Sequence, residues 1–519
     1  MAPGEVEREQ NMYSKVLSCA VYGIDGIAVN VEADIHDGLP TFTMVGYLSS
    51  SVKEAGERVR TALKNSGYYL PPKRITINLS PADLKKDGSG FDLPISIAVL
   101  MSLGIVPEVD MENTVIIGEL SLNGRVNSVP GILPMIHYCY KRGIKCCIIP
   151  KANQEEAGLI QGMKVIGVET LQEAVDYIQG MSDVSPYINT NKFIDEDICY
   201  NVDFSEIKGQ QVLKRGMEIA AAGFHNVLMT GAAGAGKSMI AKRLPTIMPR
   251  LTFEESIEVT KIYSINGMLP DSGALIYERP FRSPHHTISN YALIGGGRVP
   301  KPGEVSLAHN GVLFLDEIPE FNKNVLEVMR QPLEDRKITI SRVNASYVFP
   351  ADFMLVAAMN PCPCGFYPNM KKCSCSSIQI KRYQGRVSGP LLDRIDMNIE
   401  VKPIEYDELF SNGFEENSTS VRERVEAAIK IQRKRYKEDG INFNSQLDGK
   451  LIKKYINLGE KEEKILEKSF KTMELSARGT HRILKLSRTI ADLDGSKEIG
   501  EKHLMEALFY RNGIKNKEN

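Results

Sequence analysis

Apolar and polar residues alternate along the chain with two different periods, and these periods predict its secondary structure. β-Branched residues at every second position predict strands at 26–32 and 74–79. Between them, small apolar residues recur with a spacing of three or four, which predicts an amphipathic helix over 51–66. Such a mixture is typical of domains in which helices pack on a β-sheet.

The patterns divide the chain into regions of different character. Strands and helices mix in two long regions, and a polar stretch with few apolar residues separates them and marks a domain boundary. Beyond the second region the apolar spacing is helical. The predicted organisation is a tail at 1–11, an α+β domain at 12–183, a linker at 184–203, an α/β domain at 204–403 and a helical region at 404–519.

The composition limits the classes to which the protein can belong. Its 519 residues suffice for about three domains, and 42% hydrophobic with 25% charged residues is a globular composition. The net charge of −1 excludes a uniformly basic nucleic-acid-binding protein but permits a local basic surface. The apolar run 93–107 is shorter than the ~20 residues of a membrane span, and the N-terminus lacks a signal-peptide pattern. We therefore expect a cytoplasmic protein without a membrane partner.

A glycine-rich loop carries the strongest chemical signal. The apolar stretch 226–230 predicts a strand that leads into a match to G-x-x-x-x-G-K-[ST]. The loop consists of Gly231, Ala232, Ala233, Gly234, Ala235, Gly236, Lys237 and Ser238. Small residues let backbone N–H groups close around phosphate oxygens, and the helix that follows points its positive end at them. We expect Lys237 to reach the β- and γ-phosphates of ATP and Ser238 to bind Mg²⁺.

Two further strands end in polar residues that can complete this site. The apolar run 311–315 leads into Asp316 and Glu317, and the carboxyl ends of buried parallel strands face the ligand crevice. We expect Asp316 to complete the Mg²⁺ shell and Glu317 to orient or deprotonate the attacking water. A third strand at 353–359 ends in Asn360, whose amide can position that water. An acidic pair at the end of a surface strand and an ordinary Asn-Pro turn are the alternatives.

Several other motifs accompany these residues, at 281–287, 292–297, 302–309, 358–365 and 391–396. Together with the two nucleotide motifs they closely resemble the YifB/ComM group of magnesium-chelatase-like AAA+ ATPases, over almost the whole chain. The resemblance implies an α/β fold: a three-layer AAA+ P-loop module at 204–403 with a C-terminal helical lid at 404–519. It also implies a Lon-protease-like α+β domain in front of that module.

The resemblance assigns roles to single residues. Asn360 corresponds to sensor 1, and Arg394 to the arginine finger that reaches the nucleotide of a neighbouring subunit. Arg482 corresponds to sensor 2 on the lid, with Arg478 as a nearby alternative. A guanidinium suits these roles because it stays charged and donates in a fork to phosphate oxygens; a surface salt bridge is the alternative for each. A finger that acts in trans implies a homo-oligomer, which in this class is a hexameric ring.

A predicted hairpin and a basic segment indicate what kind of molecule the protein could bind. Residues 337–349 alternate like a β-hairpin, and in related ATPases such a hairpin projects into the ring pore, where Lys337 and Arg342 could contact a phosphate backbone. The segment 370–390 carries several basic residues and no acidic one. Both features favour DNA as a partner, although an exposed hairpin and a solvated run of charges explain them equally well.

The N-terminal domain resembles the Lon protease fold at 86–94 and 117–126. Active proteases of that fold use a serine nucleophile with a lysine base. Here the position of the nucleophile falls on Gly90, with Ser89 one residue away, and the position of the lysine falls on Leu133. We therefore expect no proteolysis and interpret the domain as a scaffold or a module that binds a protein partner.

Four of the nine cysteines are close together in the sequence. They form the pairs Cys362/Cys364 and Cys373/Cys375, with eight residues between the pairs. Four thiolates in a short loop can hold Zn²⁺ tetrahedrally, and an odd number of cysteines in a large chain argues against a disulfide framework. The sequence therefore predicts a zinc site, with four reduced cysteines near solvent as the alternative.

Three functions are compatible with these features. The first is an ATP-hydrolysing ring motor that acts on DNA, similar to ComM-type branch-migration helicases. The second is an ATPase subunit that takes part in metal insertion, although magnesium chelatase needs separate substrate-binding subunits. The third is a nucleotide-gated scaffold for a protein partner. Stimulation of ATP hydrolysis by DNA distinguishes the first from the other two.

Overall fold

The computed structural model describes residues 12–107, 111, 113–182, 184–188, 200–269, 275–297, 300–342, 345–403 and 415–511. The chain divides into two compact units. The first comprises Met1–Asp195, Ser256–Ile276 and Arg298–Lys301, and the second comprises Glu196–Glu255, Tyr277–Gly297 and Pro302–Asn519. The predicted tail at 1–11 and most of the predicted linker at 184–203 lie outside the described residues.

The elements of the N-terminal part confirm the predicted pattern. The strands are β1 (Tyr13–Tyr22), β2 (Asp25–His36), β3 (Thr41–Val45), β4 (Arg74–Ser80), β5 (Thr114–Ile116), β6 (Glu119–Leu120), β7 (Val126–Asn127), β8 (Cys146–Pro150) and β9 (Lys164–Val168). The helices are Ser50–Asn65, Asp92–Ser102, Ile132–Lys141, Gln154–Ala157 and Leu171–Ile178, with a 3₁₀ turn at Lys151–Asn153. The first helix begins where the Ser49 side chain accepts from the Val52 backbone.

In the first unit, seven of the described strands form a mixed sheet in the order β3-β4-β2-β1-β5-β8-β9. The helix Asp92–Ser102 is buried on all sides, which explains why the sequence around it is a long uncharged run. The segment Ser256–Ile276 also packs in this unit, where Lys261 donates to Asp25 at 3.0 Å. Among the helices that the structure describes, none has both the length and the apolar character of a membrane span.

The elements that follow along the chain include the strands of the second sheet; most of them belong to the second unit, whereas most of the helix Phe253–Asn266 belongs to the first. The strands are β10 (Val227–Gly231), β11 (Phe281–Arg282), β12 (Gly295–Gly296), β13 (Lys301–Pro302), β14 (Val312–Leu315), β15 (Lys337–Arg342), β16 (Ala345–Pro350), β17 (Met354–Met359) and β18 (Met397–Val401). The helices are Gln211–Gly223, Lys237–Ile247, Phe253–Asn266, Asn290–Ile294, Glu304–Leu307, Lys323–Val328, Arg330–Asp335, Ser377–Gln384, Gly389–Leu392, Ser418–Arg435, Gly449–Tyr455, Glu460–Thr472, Ala477–Leu493 and Glu501–Arg511. Short 3₁₀ turns lie at Phe204–Glu206, Ile318–Glu320 and Asn444–Gln446.

Five strands of the second unit form a parallel sheet in the order β11-β14-β17-β10-β18. The central strands are buried along their length, as their continuous apolar sequences predict for a parallel sheet covered on both faces. Because the strands run in the same direction, the loops that follow β10, β14 and β17 meet at one edge. This edge is where the predicted nucleotide residues lie.

Helices follow the last strand of this sheet. Ser418–Arg435 and Ala477–Leu493 pack against Gln211–Gly223, and their apolar side chains join the core that also contains the sheet. The predicted helical character is confirmed for 415–511, while 404–414 and 512–519 lie outside the described residues.

Candidate nucleotide-binding site

The loop after β10 has a shape that depends on glycine. A Cβ added to Gly231 would lie 2.3 Å from the carbonyl oxygen of Val401, so a larger residue would collide with the backbone. Gly234 and Gly236 adopt φ values of +78° and +88°, which favour glycine. The helix that follows begins at Lys237, and its first backbone N–H groups point into the loop. The loop therefore fits a phosphate group.

The ammonium group of Lys237 lies inside this loop. Its Nζ donates to the carbonyl oxygens of Gly231 and Ala232 at 2.7 and 2.8 Å, and to Oδ1 of Asn360 at 3.0 Å. Lys237 is 8% exposed. Burial lowers the pKa of Lys237, although the charges of Asp316 and Glu317 oppose that shift. A buried cation with neutral oxygen partners is well suited to bind a phosphate anion.

Two carboxylates at the end of β14 face the loop. The hydroxyl of Ser238 donates to Oδ2 of Asp316 at 2.6 Å, which brings together the two oxygen ligands predicted for Mg²⁺. Glu317 follows with φ of +51°, an uncommon backbone conformation for a residue other than glycine, and its side chain is exposed. Strained residues of this kind are concentrated at functional sites. The structure thus gathers Lys237, Ser238, Asp316, Glu317 and Asn360 at one edge of the sheet.

The predicted arginines lie at the opposite edge of this sheet, where its strands begin. Arg482 donates to the carbonyl oxygen of Arg394 at 3.1 Å and pairs with the buried carboxylate of Asp396. The backbone N–H of Asp396 donates to the carbonyl oxygen of Asn226 at 2.9 Å, directly before β10. Strand β10 has five residues and spans about 16 Å. Both arginines therefore lie one strand length from the phosphate-binding loop of their own chain.

Carboxylates hold these arginines in place. Glu334 pairs with Arg394 and also accepts from Arg478 at 2.9 Å. The salt bridges named as the alternative are therefore present, and the roles of these arginines toward a nucleotide stay predictions. Burial raises the pKa of Asp396, but the charge of Arg482 and the nearby ring of His225, whose Nδ1 lies 3.6 Å from the carboxylate, outweigh this and keep the pKa well below its usual range. The arginines line a cavity of about 310 Å³. The sequence showed Asp396 in a motif but offered no signal for Glu334.

The four cysteines converge in space. The sulfur of Cys362 lies 3.3 Å from that of Cys364 and 3.8 Å from that of Cys373, and the latter two are 3.6 Å apart. With Cys375 included, all four sulfur atoms lie within 4.8 Å of one another. Tetrahedral Zn–S bonds of about 2.3 Å require sulfur atoms roughly 3.8 Å apart, whereas a disulfide requires about 2.0 Å. The residues therefore fit a zinc ion.

The local backbone affects the titration of these thiols. A backbone hydrogen bond with Phe366 lowers the pKa of Cys364 to about 6 and favours the thiolate that a metal needs. The pKa of Cys373 moves to about 12: a backbone hydrogen bond with Cys375 lowers it, but burial and the adjacent thiols Cys364 and Cys362 outweigh that effect. The cluster thus contains one thiol that ionises easily beside one that does not.

The helix after the cysteines supplies a residue that sequence analysis did not single out. Tyr383, on Ser377–Gln384, is 6% exposed and lies near the backbone of Asn360. Burial, and then the charge of Glu320, raise the pKa of Tyr383 to about 12. A lone tyrosine in a basic stretch gives no sequence signal, because only the fold brings it to Asn360.

The predicted DNA-contacting segments are largely exposed. β15 and β16 pair as the predicted antiparallel hairpin, with Lys337 exposed and Arg342 donating to the carbonyl oxygen of Gly297 at 3.0 Å. The basic residues of the cysteine segment are exposed: Lys371, Lys372, Lys381, Arg382 and Arg386. Among them, Arg386 pairs with Glu320 at 2.7 Å.

In the first unit, the positions compared with a protease site are lined by apolar side chains. A Cβ added to Gly90 would lie 3.2 Å from Ile117 and 3.3 Å from Val129. Leu133 is fully buried, and its backbone N–H donates to Glu156 at 2.8 Å. Ser89 is half-buried one residue away.

The phosphate-binding loop, the acidic strand end and the parallel sheet define a P-loop protein. Comparisons with known proteins make this class narrower. Residues 203–409 match the family described as magnesium chelatase, subunit ChlI, residues 31–153 match subunit ChlI of Mg-chelatase, and residues 415–511 match the C-terminal part of subunit ChlI. The chain therefore belongs to the ComM/YifB family of magnesium-chelatase-like AAA+ ATPases, as the motifs predicted.

Two relatives cover nearly the full length. The chain is 42% identical to competence protein ComM of Haemophilus influenzae over 501 residues, which are 96% of this chain and 97% of that protein. It is 41% identical to the protein YifB of Escherichia coli over 497 residues, 95% of this chain and 96% of that protein. A partial similarity, 33% over 131 residues, links 25% of the chain to 23% of Lon protease 2 of Bacillus subtilis. This family implies ATP and Mg²⁺ as ligands, and its members are usually oligomeric.

Proposed function

We propose that the chain hydrolyses ATP with Mg²⁺ at the carboxyl edge of the second sheet. The observation that carries this proposal is the set of contacts that joins Lys237 to Asn360 and Ser238 to Asp316. Lys237 and the loop N–H groups would hold the phosphates, and Ser238 and Asp316 would hold Mg²⁺, which neutralises phosphate charge when bound. Glu317 would accept a proton from the attacking water, and Asn360 would orient that water.

The position of the arginines supports an oligomer. Each chain carries the nucleotide residues at one edge of the sheet and Arg394 and Arg482 at the other. Identical copies that meet edge to edge in a ring would bring the two sets together. We propose a hexameric ring in which Arg394 is the arginine finger. Arg482, with Arg478 as the alternative, serves as sensor 2 on the C-terminal helical lid.

We propose that this motor acts on DNA in the cytoplasm, as a branch-migration helicase. The exposed side chains of Lys337, Lys371 and Lys372 support this proposal, because lysines bind a phosphate backbone without regard to sequence. One relative bears the name competence protein.

The test measures ATP turnover and strand exchange on labelled branched DNA. We expect single- or double-stranded DNA to stimulate turnover by the wild-type chain, and Lys237→Ala to remove both activities. The double variant Lys371→Ala/Lys372→Ala should need several-fold more DNA for half-maximal stimulation while basal turnover is kept. The control is Lys430→Ala/Lys434→Ala on the helix Ser418–Arg435, which should behave as the wild type. Turnover that no DNA affects would exclude the DNA motor.

A metal-insertion ATPase subunit is the second candidate. The three families that match the chain are all described as a magnesium chelatase subunit or as part of it, which favours this function. In that case turnover would be indifferent to DNA.

The first unit serves as a Lon-like domain without proteolytic activity. The similarity to Lon protease 2 supports the fold, and the apolar surroundings of Gly90 together with the buried Leu133 support the lack of a serine–lysine pair. Its role would be to bind a protein partner.

The four-cysteine cluster holds a structural Zn²⁺ ion in this proposal. The spacing of the sulfur atoms supports it, since the separations between Cys362, Cys364 and Cys373 range from 3.3 to 3.8 Å, close to the roughly 3.8 Å of tetrahedral zinc.

A further inference from the structure

The segment that contains the four cysteines begins directly after the water-orienting Asn360 and returns to the nucleotide site at several points. Its first contact is with the phosphate-binding loop. Gly365 adopts φ of +82°, and a Cβ added there would lie 3.5 Å from the backbone nitrogen of Ala233. The turn that follows Cys364 therefore packs closely on the outside of the loop that would hold the phosphates.

The second contact is with the residue directly after Asn360. Gln384, at the end of the helix that follows the cysteines, donates from Nε2 to the carbonyl oxygen of Pro361 at 2.7 Å. The preceding residue, Tyr383, lies near the backbone of Asn360. Gln384 thus holds the chain directly after Asn360, where the strand β17 has already ended.

The third contact is with the turn after Glu317. Arg386 donates to Oε1 of Glu320 at 2.7 Å and reaches the carbonyl oxygen of Pro319 at 3.4 Å. Its guanidinium also lies 5.7 Å from the centre of the Tyr383 ring. The same short stretch of chain therefore contacts both the segment that carries Asn360 and the segment that carries the catalytic carboxylate.

Between Pro361 and Ser377 the segment contains no helix or strand, although every residue of it is described. Its two ends are brought together by the converging thiols of Cys362, Cys364, Cys373 and Cys375. A metal ion bound by four thiolates would cross-link the loop and limit the positions open to the helix Ser377–Gln384. Without the metal, thiols at these distances have no strong mutual attraction.

We infer that metal binding by the four cysteines positions Asn360 for catalysis, and that Gln384 transmits this effect as a positioning residue. The inference rests on the proposed ATP hydrolysis and adds a requirement to it: the chain needs Zn²⁺ at a site that neither substrate nor Mg²⁺ touches. Loss of the metal should then lower kcat, because Asn360 is displaced, with a smaller effect on the affinity for ATP, because Lys237 and the loop remain.

The first test measures metal content and backbone exchange, neither of which depends on turnover. We expect one equivalent of zinc per chain by elemental analysis of the purified full-length protein, and none in Cys373→Ser. In Cys373→Ser and in Gln384→Ala, hydrogen exchange should accelerate in a peptide that spans 354–364. Cys146→Ser, outside the cluster, should keep its zinc and its exchange pattern. A wild-type chain without zinc, or exchange that neither variant changes, would overturn the inference even if ATP is hydrolysed.

The second test separates positioning from folding. Gln384→Ala should lower kcat about three- to tenfold, the effect of one lost hydrogen bond, with unchanged zinc content, ATP affinity and unfolding midpoint. Gln161→Ala, at an exposed position of the first unit, should change nothing. Equal kcat values for Gln384→Ala and wild type would contradict the positioning role. Failure of the wild-type chain to hydrolyse ATP would instead remove the proposed function and leave the exchange measurement to decide the metal's role.

Discussion

The parallel sheet of the second unit carries different side chains at the carboxyl ends of its strands (the carboxyl edge) and at their amino ends (the amino edge). At the carboxyl edge, Lys237 is held by backbone carbonyls and Asn360, and Glu317 is open to solvent. At the amino edge, Arg394 and Arg482 are both engaged by carboxylates of their own chain. The carboxyl edge can therefore still bind an anion, whereas carboxylates of the same chain already neutralise the cations of the amino edge. In the proposed ring, a neighbouring copy would supply the nucleotide that these cations contact.

The two arginines also differ from each other. The carboxylate that holds Arg394 belongs to Glu334, whose side chain is 47% exposed, while the carboxylate that holds Arg482 belongs to Asp396, whose side chain is 5% exposed. An exposed ion pair costs little to break, but a buried carboxylate that loses its partner costs several times more. We therefore expect Arg394 to exchange Glu334 for a phosphate more readily than Arg482 exchanges Asp396.

The largest effect should come from the carboxyl edge. Glu317→Gln should lower ATP turnover about a thousandfold, because an amide cannot accept the proton of the attacking water. Binding of ATP should be retained, since the loop and Lys237 are unchanged. Phosphate release and the binding of a fluorescent nucleotide measure the two quantities separately.

The matched control for this variant is Glu423→Gln, at an exposed position of the helix Ser418–Arg435. It should hydrolyse ATP at the wild-type rate. If Glu317→Gln did the same, Glu317 would not be the catalytic base, and the carboxyl edge would lose its assigned chemistry.

At the amino edge, the larger expected effect is on the free energy of unfolding. Arg482→Ala should lower the free energy of unfolding by about 3 kcal/mol, because Asp396 stays buried without its partner. Arg478→Ala, whose side chain is 64% exposed, should cost less than about 0.5 kcal/mol. Urea unfolding of the two variants measures the difference. Equal losses would show that Arg482 is no more anchored than a surface arginine.

The sequence predicted the carboxyl edge almost completely. Its residues follow directly after strands in local motifs, so Lys237, Ser238, Asp316 and Asn360 could be named and placed from periodicity and spacing. The ion pairs of the amino edge could not be predicted from the sequence, because the contact of Arg482 with Asp396 joins positions 86 residues apart. Tyr383 and Glu334 were missed for the same reason: their importance lies in tertiary contacts and leaves no local pattern.

Mixing two impaired variants tests directly whether the site is shared between neighbouring chains. Arg394→Ala alone should lose about a hundredfold in turnover, the cost of one catalytic donor, and Glu317→Gln alone should be nearly inactive. In mixed assemblies, the intact carboxyl edge of Arg394→Ala can meet the intact amino edge of Glu317→Gln, so the mixture should recover a measurable fraction of wild-type turnover. Turnover no higher than the sum of the separate variants, in preparations shown to co-assemble, would contradict the claim that the site is shared between neighbouring chains.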